Sequence, residues 1–260
     1  FYMNSNNLFD LHVYVLLPIV FFLIILFGWL GYRYKKYRLK KYAEEKFEKG
    51  RVQGAALSIL SLLMGFTFSV AMAKFETQRR VITQEAASIN TVVLRCDIYP
   101  DSLRNLLRAD IREYIEARIA YYDELDNDKA QEELKRAHLI SQKLWEKTVL
   151  QMKNSESVLR SGQMIPALNN MRDVAITRHG EKISKVPFLV LWILLIFMLI
   201  DAFVLGTDLV DKKGRAKIAL ITYGVVMSLT LNLIIELHQP RTGLINLDAV
   251  EQQMINLREL

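Results

Sequence analysis

The chain has 260 residues, 52% of them hydrophobic and 24% charged, with a net charge of +6. That mixture excludes a purely soluble domain and also a chain made of membrane spans alone; it fits a membrane module joined to a water-exposed helical region. The single Cys96 excludes an intrachain disulfide and a cysteine metal site, and the histidines (His12, His138, His179, His238) have no ligand spacing.

Residues 1–10 are a polar lead-in. Residues 11–30 follow as a plain lipid-type span, with Pro18 expected to kink it and Trp29, Tyr32 and Tyr34 at an interfacial belt. The length of its apolar run, its trailing basic residues and the lack of a small-residue cleavage site argue against a cleaved signal peptide. Residues 32–52 form a basic connector. Its stretch 32–51 holds nine basic and three acidic residues, so the chain's whole excess of positive charge sits there. Between two spans, such a patch marks topology rather than nucleic acid, and no nucleic-acid partner is expected.

The second span, residues 53–73, is the least lipid-like of the four. Gly54, Ser58, Ser61, Gly65, Ser69 and Met72 recur every three or four residues and put small or weakly polar groups on one helical face. Such a face suits either a tight packing seam or a helix lining water. The helix is expected to run on past the bilayer, through Arg79, Glu85 and Ile89 to Arg95.

Residues 75–186 read as an all-helical extramembrane bundle. Tyr99-Pro100 ends the long helix, and Asp101-Ser102 is expected to cap the next one. Leu103, Leu107, Tyr114, Ile115, Arg118, Ile119 and Tyr122 trace its apolar face. The acidic run 123–129 lacks the spacing of a calcium loop, and no metal or cofactor site is expected. A helix over 130–160 should bury Leu134, Ile140, Leu144, Trp145, Val149 and Met152, with residues 161–166 breaking it. Another helix, over 167–184, leads to the third span. No phosphate loop, nucleophile elbow or paired-histidine zinc motif appears, so nothing supports an enzyme.

The third and fourth spans cover residues 187–206 and 216–237, each near the ~20 residues a bilayer core requires. Asp201 sits deep in the third, where a carboxylate must pair, protonate or meet water; a hydrogen bond to Asn232 would satisfy it. A proton-coupled transporter built on Asp201 is a weaker reading, for lack of inverted repeats or broken helices. Glu236 and His238 are expected to anchor the fourth span at the interface. The connector 208–217 is also basic, so both short connectors point to the cytoplasmic side. The termini and the helical region then lie on the other face of a bacterial inner membrane. In the tail 238–260, Pro240–Gly243 makes a turn, and Asp248 with Glu251 resembles a capping box opening a helix with Leu247, Val250, Met254 and Leu257 on one side.

Several of these residues carry a resemblance. The run Gly65-Phe66-Thr67-Phe68-Ser69, then Glu85-Ala86, Ile89, Leu94-Arg95, Pro100, Leu107, Tyr114, Arg118, Leu168-Asn169, Asp173, Arg178 and Pro187–Trp192 is similar to the bestrophin-like domain membrane family. The ending Glu236–Ile245 resembles that family's acidic-x-x-Pro-x-x-Gly close. More distantly the chain resembles the bestrophins, pentameric anion channels whose second span forms an apolar neck. The resemblance implies an all-α, four-span fold and a homo-oligomer, by analogy a pentamer, in a lipid bilayer that conducts inorganic ions. It places neck positions at Ser58, Leu62 and Phe66, with Ser69 beyond and basic residues Lys74, Arg79 and Arg80 at the mouth. Ser58 departs from the apolar ring of bestrophins, and Lys74-Phe75-Glu76 replaces their Arg-Trp-Trp. The alternative is a non-conducting scaffold or sensor whose extramembrane helices bind a partner.

Overall fold

The computed structural model describes residues 13–41, 49–124, 126–152, 158–183, 188–210, 215–238 and 247–259. They form eight α-helices: α1 Val13–Lys41, α2 Lys49–Cys96, α3 Asp101–Asp123, α4 Asn127–Gln151, α5 Val158–Ile183, α6 Phe188–Asp208, α7 Arg215–His238 and α8 Asp248–Asn256, with a closing turn of 3-10 helix at Leu257–Glu259. Helices α1, α2, α6 and α7 are long and apolar enough to cross a membrane. The lead-in, the middle of the basic connector, Pro187, the centre of the 208–217 connector and the turn at 240–243 lie outside the described residues.

The chain divides into two compact units. The first joins α1, the opening half of α2, α6 and α7. Its core follows helical spacing: Leu16, Val20 and Ile24 on α1 meet the buried sides of α6 (Leu191, Leu194, Met198, Ala202) and α7 (Leu220, Leu231, Ile234). α1 stays helical through Pro18. Glycines let α1 and α6 approach backbone to backbone. A Cβ on Gly206 would collide with the Gly28 carbonyl, and one on Gly31 with the Phe203 carbonyl. These two contacts also fix α1 and α6 as antiparallel. The close seam of small residues thus lies between α1 and α6. In α2, Gly54 and Gly65 have nothing within 4 Å of where a Cβ would stand.

The second unit holds the rest of α2, α3, α4, α5 and α8. The apolar face expected of α3 is buried, with Leu103 partly so. Ile89, Val92 and Val93 of α2 complete the core with Leu144 of α4, Met164, Leu168 and Met171 of α5, and Met254 and Leu257 from the tail. The expected stripe of α8 is therefore an internal contact.

Four sequence expectations change here. α4 ends at Gln151, and α5 starts at Val158 and runs straight through the predicted break at 161–166. Pro166 is tolerated because it costs one i→i−4 bond in a helix whose far side is packed; Met164, Ala167 and Leu168 around it are buried. Val149 and Met152 are exposed, and Ala137, Ser141 and Thr148 take the buried side instead, because α4 ends just beyond them. Neither Asp101 nor Asp248 is a cap. The caps are Pro100 and Leu247, which make no side-chain bond, so both aspartates sit in the first turn, where they favour the helix dipole. Asp101 pairs with Arg104 at 2.7 Å.

Candidate pore helix and buried charge network

α2 runs unbroken over 48 residues, about 72 Å at the usual rise. In its membrane half one stripe is buried: Leu60, Met64, Thr67 and Ala71. The opposite side carries Ser58, Leu62, Phe66 and Ser69, all exposed in the subunit, with Leu62 at 59% and Phe66 at 64%. Leu62 and Phe66 lie one turn apart, so their side chains stack along one line. Ser58 Oγ donates to the Gly54 carbonyl and Ser61 Oγ to that of Leu57, both at 2.8 Å. These hydroxyls are satisfied within the helix and require no partner helix.

The three mouth cations separate. Lys74 is half-buried and lies nearer the buried stripe. Arg79 is exposed and paired with Glu76 at 3.3 Å. Arg80 is exposed as well.

The intramembrane polar pair is not formed. Asp201 is buried, and neither carboxylate oxygen has a hydrogen-bond partner among the described residues. Asn232 instead donates from Nδ2 to Glu236 Oε1 at 3.0 Å, four positions along its own helix, where side chains share a face. Glu236 and His238, expected at the interface, are buried. The α1–α6 register alters the setting of Asp201. It places Asp201 level with Arg33, where α1 turns from apolar to basic. Arg33 itself stacks on Trp29, 4.9 Å from the ring centroid.

The second unit contains a charge network to which the sequence assigned no role. Glu85 of α2 is wholly buried. It accepts from Arg118 Nε of α3 at 2.6 Å and from Arg178 Nη1 of α5 at 2.8 Å. Arg118 also donates to the Tyr122 hydroxyl at 3.1 Å and to the Ala175 carbonyl at 3.3 Å. Arg178 lies over the Tyr122 ring, 3.5 Å from its centroid, and reaches Glu251 of α8 at 3.4 Å. Burial would lower Arg118, but the facing Glu85 more than offsets this and holds it above its ordinary value. Burial raises Tyr114 and Tyr122, keeping both phenols protonated. Three residues of the family-like pattern, Glu85, Arg118 and Arg178, thus meet at one point and tie α2, α3, α5 and α8 together.

Beside this network, the Tyr121 hydroxyl and His179 Nδ1 lie 2.6 Å apart, and Lys182 Nζ donates to the Tyr121 carbonyl at 2.8 Å. Partial burial, then Arg118 and Lys182, lower the His179 pKa. The unfolded chain therefore binds a proton more readily than the native one, and stability falls as pH drops below about 6.5, until His179 titrates in the fold. The melting midpoint is expected to fall between pH 7.5 and 5.5, and His179→Gln to flatten that slope. An equal slope in the variant would assign the acid sensitivity elsewhere.

A bestrophin-like domain family model matches residues 52–250. No curated protein matches the chain. Among solved structures, a bacterial bestrophin homologue from Klebsiella pneumoniae aligns with a TM-score of 0.72 at 13% identity, over 93% of this chain and 98% of that one. A mutated form of it gives 0.71 at 13% identity, over the same shares of the two chains. A crystallised membrane-protein variant gives 0.72 at 12%, over 94% and 99%. At such identities the likeness is one of fold: an all-helical, membrane-spanning, bestrophin-type architecture. The resemblance read from the motif residues is borne out by the family match, and this chain belongs to the bestrophin-like domain family.

Proposed function

We propose that the chain forms a homo-oligomeric ion channel in the lipid bilayer, pentameric by analogy with the bestrophins, that passes inorganic anions along α2. The observation that supports this reading is the exposed line of Ser58, Leu62, Phe66 and Ser69 directly opposite the buried stripe of the same helix. Around a symmetry axis, rings of Leu62 and Phe66 would form an apolar neck that gates by dewetting, with no charged filter. Basic side chains at the mouth (Lys74, Arg79, Arg80) would raise the local anion concentration. The charge of the two short connectors supports their placement in the cytoplasm of a bacterial cell, with the termini and the second unit on the far side.

The test is the current carried by purified protein in planar bilayers. Wild type is expected to conduct, with Phe66→Ala opening more often and carrying several-fold more current, because a dewetted constriction widens. If wild type and Phe66→Ala are both silent at every voltage, the channel reading fails. A non-conducting scaffold whose extramembrane helices bind a partner then takes its place.

A further inference from the structure

α1 carries its apolar stretch and its charge on one continuous row. It stays helical to Lys41, ten residues or about 15 Å beyond Gly31. Ile24, Gly28, Gly31 and Lys35 recur every three or four residues and are buried on the side that meets α6 and α7. The opposite row is exposed, and its chemistry changes in order along the helix. Phe22 and Leu26 are apolar, Trp29 is amphipathic, and Arg33, Lys36 and Lys40 are cationic.

Helical side chains lean toward the N-terminal end of their helix, which for α1 is the apolar end. The contacts show it. The Arg33 guanidinium lies 4.9 Å from the centre of the Trp29 ring, and Lys36 Nζ lies 5.8 Å from that of Tyr32, each reaching four residues back. Off this row Arg38 does the same, its Nη1 donating to the Tyr34 hydroxyl at 3.5 Å. The cations are thus drawn toward the place where the row turns apolar. α1 itself offers them no counter-charge, since no acidic residue occurs between Asp10 and Glu44.

A row that runs apolar, aromatic and cationic matches one phospholipid laid along a helix, with its acyl chain, ester groups and phosphate in that order. We propose that this face of α1 binds an anionic phospholipid, with Arg33, Lys36 and Lys40 around the phosphate, Trp29 beside the ester groups and one acyl chain over Phe22 and Leu26. Arg33 supplies a planar fork that can bond two phosphate oxygens at once, and the lysines supply point charge. A free anion would need the cations alone; the exposed Phe22 and Leu26 in line with them select a lipid. Three cations against one phosphate also favour a headgroup that carries no ammonium of its own. Lys35 takes no part, because it is on the buried side. The site lies within the membrane unit and does not depend on whether α2 conducts.

The experiment is native mass spectrometry of the detergent-purified protein, titrated separately with phosphatidylglycerol and phosphatidylcholine. Wild type is expected to bind phosphatidylglycerol about tenfold more tightly or better, with the preference shrinking as ionic strength rises. Arg33→Gln and Lys36→Gln should each cut that preference several-fold. Arg38→Gln removes the same charge from the same helix but off the row, and should change it by about twofold or less. All three side chains are exposed, so melting midpoints without lipid should stay at the wild-type value. A second measurement places the chain. With the other two tryptophans replaced (Trp145→Phe, Trp192→Phe), phosphatidylglycerol brominated on its acyl chains should quench Trp29, and Lys36→Gln should weaken the quenching. Equal affinity of wild type for the two lipids would overturn the proposal. So would a loss in Arg38→Gln as large as that in Arg33→Gln, which would reduce the site to diffuse charge. Inorganic phosphate that relieves the quenching at the lipid's own concentration would overturn it too, and assign the cations to a free anion.

Discussion

Replacing Glu85 with alanine is expected to lower the stability of the second unit by about 3–5 kcal/mol, the usual cost of removing one partner from a buried ion network. The reason is what would remain. Arg118 and Arg178, 2% and 5% exposed, would be left close together with no carboxylate between them. Tyr122 could not help, since its hydroxyl already accepts from Arg118 and its ring already lies under Arg178. Glu85→Gln should fall between wild type and alanine, because an amide keeps an acceptor and loses the charge. In a unit of this size the alanine change should move the melting midpoint by roughly 10 °C or more. The control is Glu116→Gln, which breaks a 2.8 Å pair with Arg258 whose side chains are about half exposed. Screened by water, that pair should contribute about 1 kcal/mol or less. Equal small losses in Glu85→Ala and Glu116→Gln would show that the buried network is not what fastens α2 to α3, α5 and α8.

Much of the architecture was legible because it is local. Four apolar runs of bilayer length give four spanning helices, and the 3.6-residue spacing of Leu107, Tyr114, Ile115 and Tyr122 gives the buried face of α3. Helix limits were less legible. Gly162 and Pro166 read as a break, yet packing of Met164, Leu168 and Met171 into the core holds α5 together through them. The charge network could not be deduced, since Glu85 lies 33 residues from Arg118 and 93 from Arg178. The family-like pattern was the one reading that held all three of those residues, and it gave them no role. The neighbours of Asp201 were hidden for a related reason, since the residue level with it is set by α1, a partner about 170 residues away in sequence. Small residues were noticed in α2, where they recur most often. The signal for the seam inside the subunit, Gly28 and Gly31 on α1 facing Gly206 and Phe203 on α6, was present but divided between two distant segments.

That seam supports the last expected result. Gly206→Val would drive a Cβ into the Gly28 carbonyl, and Gly31→Val would do the same at Phe203. Backbone cannot rotate away as a side chain can, so α1 and α6 must separate and the Leu16, Val20 and Ile24 packing must loosen with them. A loss of about 3 kcal/mol or more is expected, at the upper end of overpacking costs, read as a drop in the melting midpoint of detergent-solubilised protein. Gly28→Ala should be milder, because the group it meets is the movable end of Leu220. Gly65→Ala is the informative contrast. Nothing lies within 4 Å of its Cβ, so the subunit itself should gain about 1 kcal/mol from helix propensity. If α2 lines water in the assembly, that variant should keep its oligomeric state on gel filtration. If the small-residue face is instead a dry seam between subunits, it should weaken the oligomer while the subunit stays folded. The two glycine variants thus separate packing inside the subunit from packing around the axis, the distinction on which a wet or dry α2 depends.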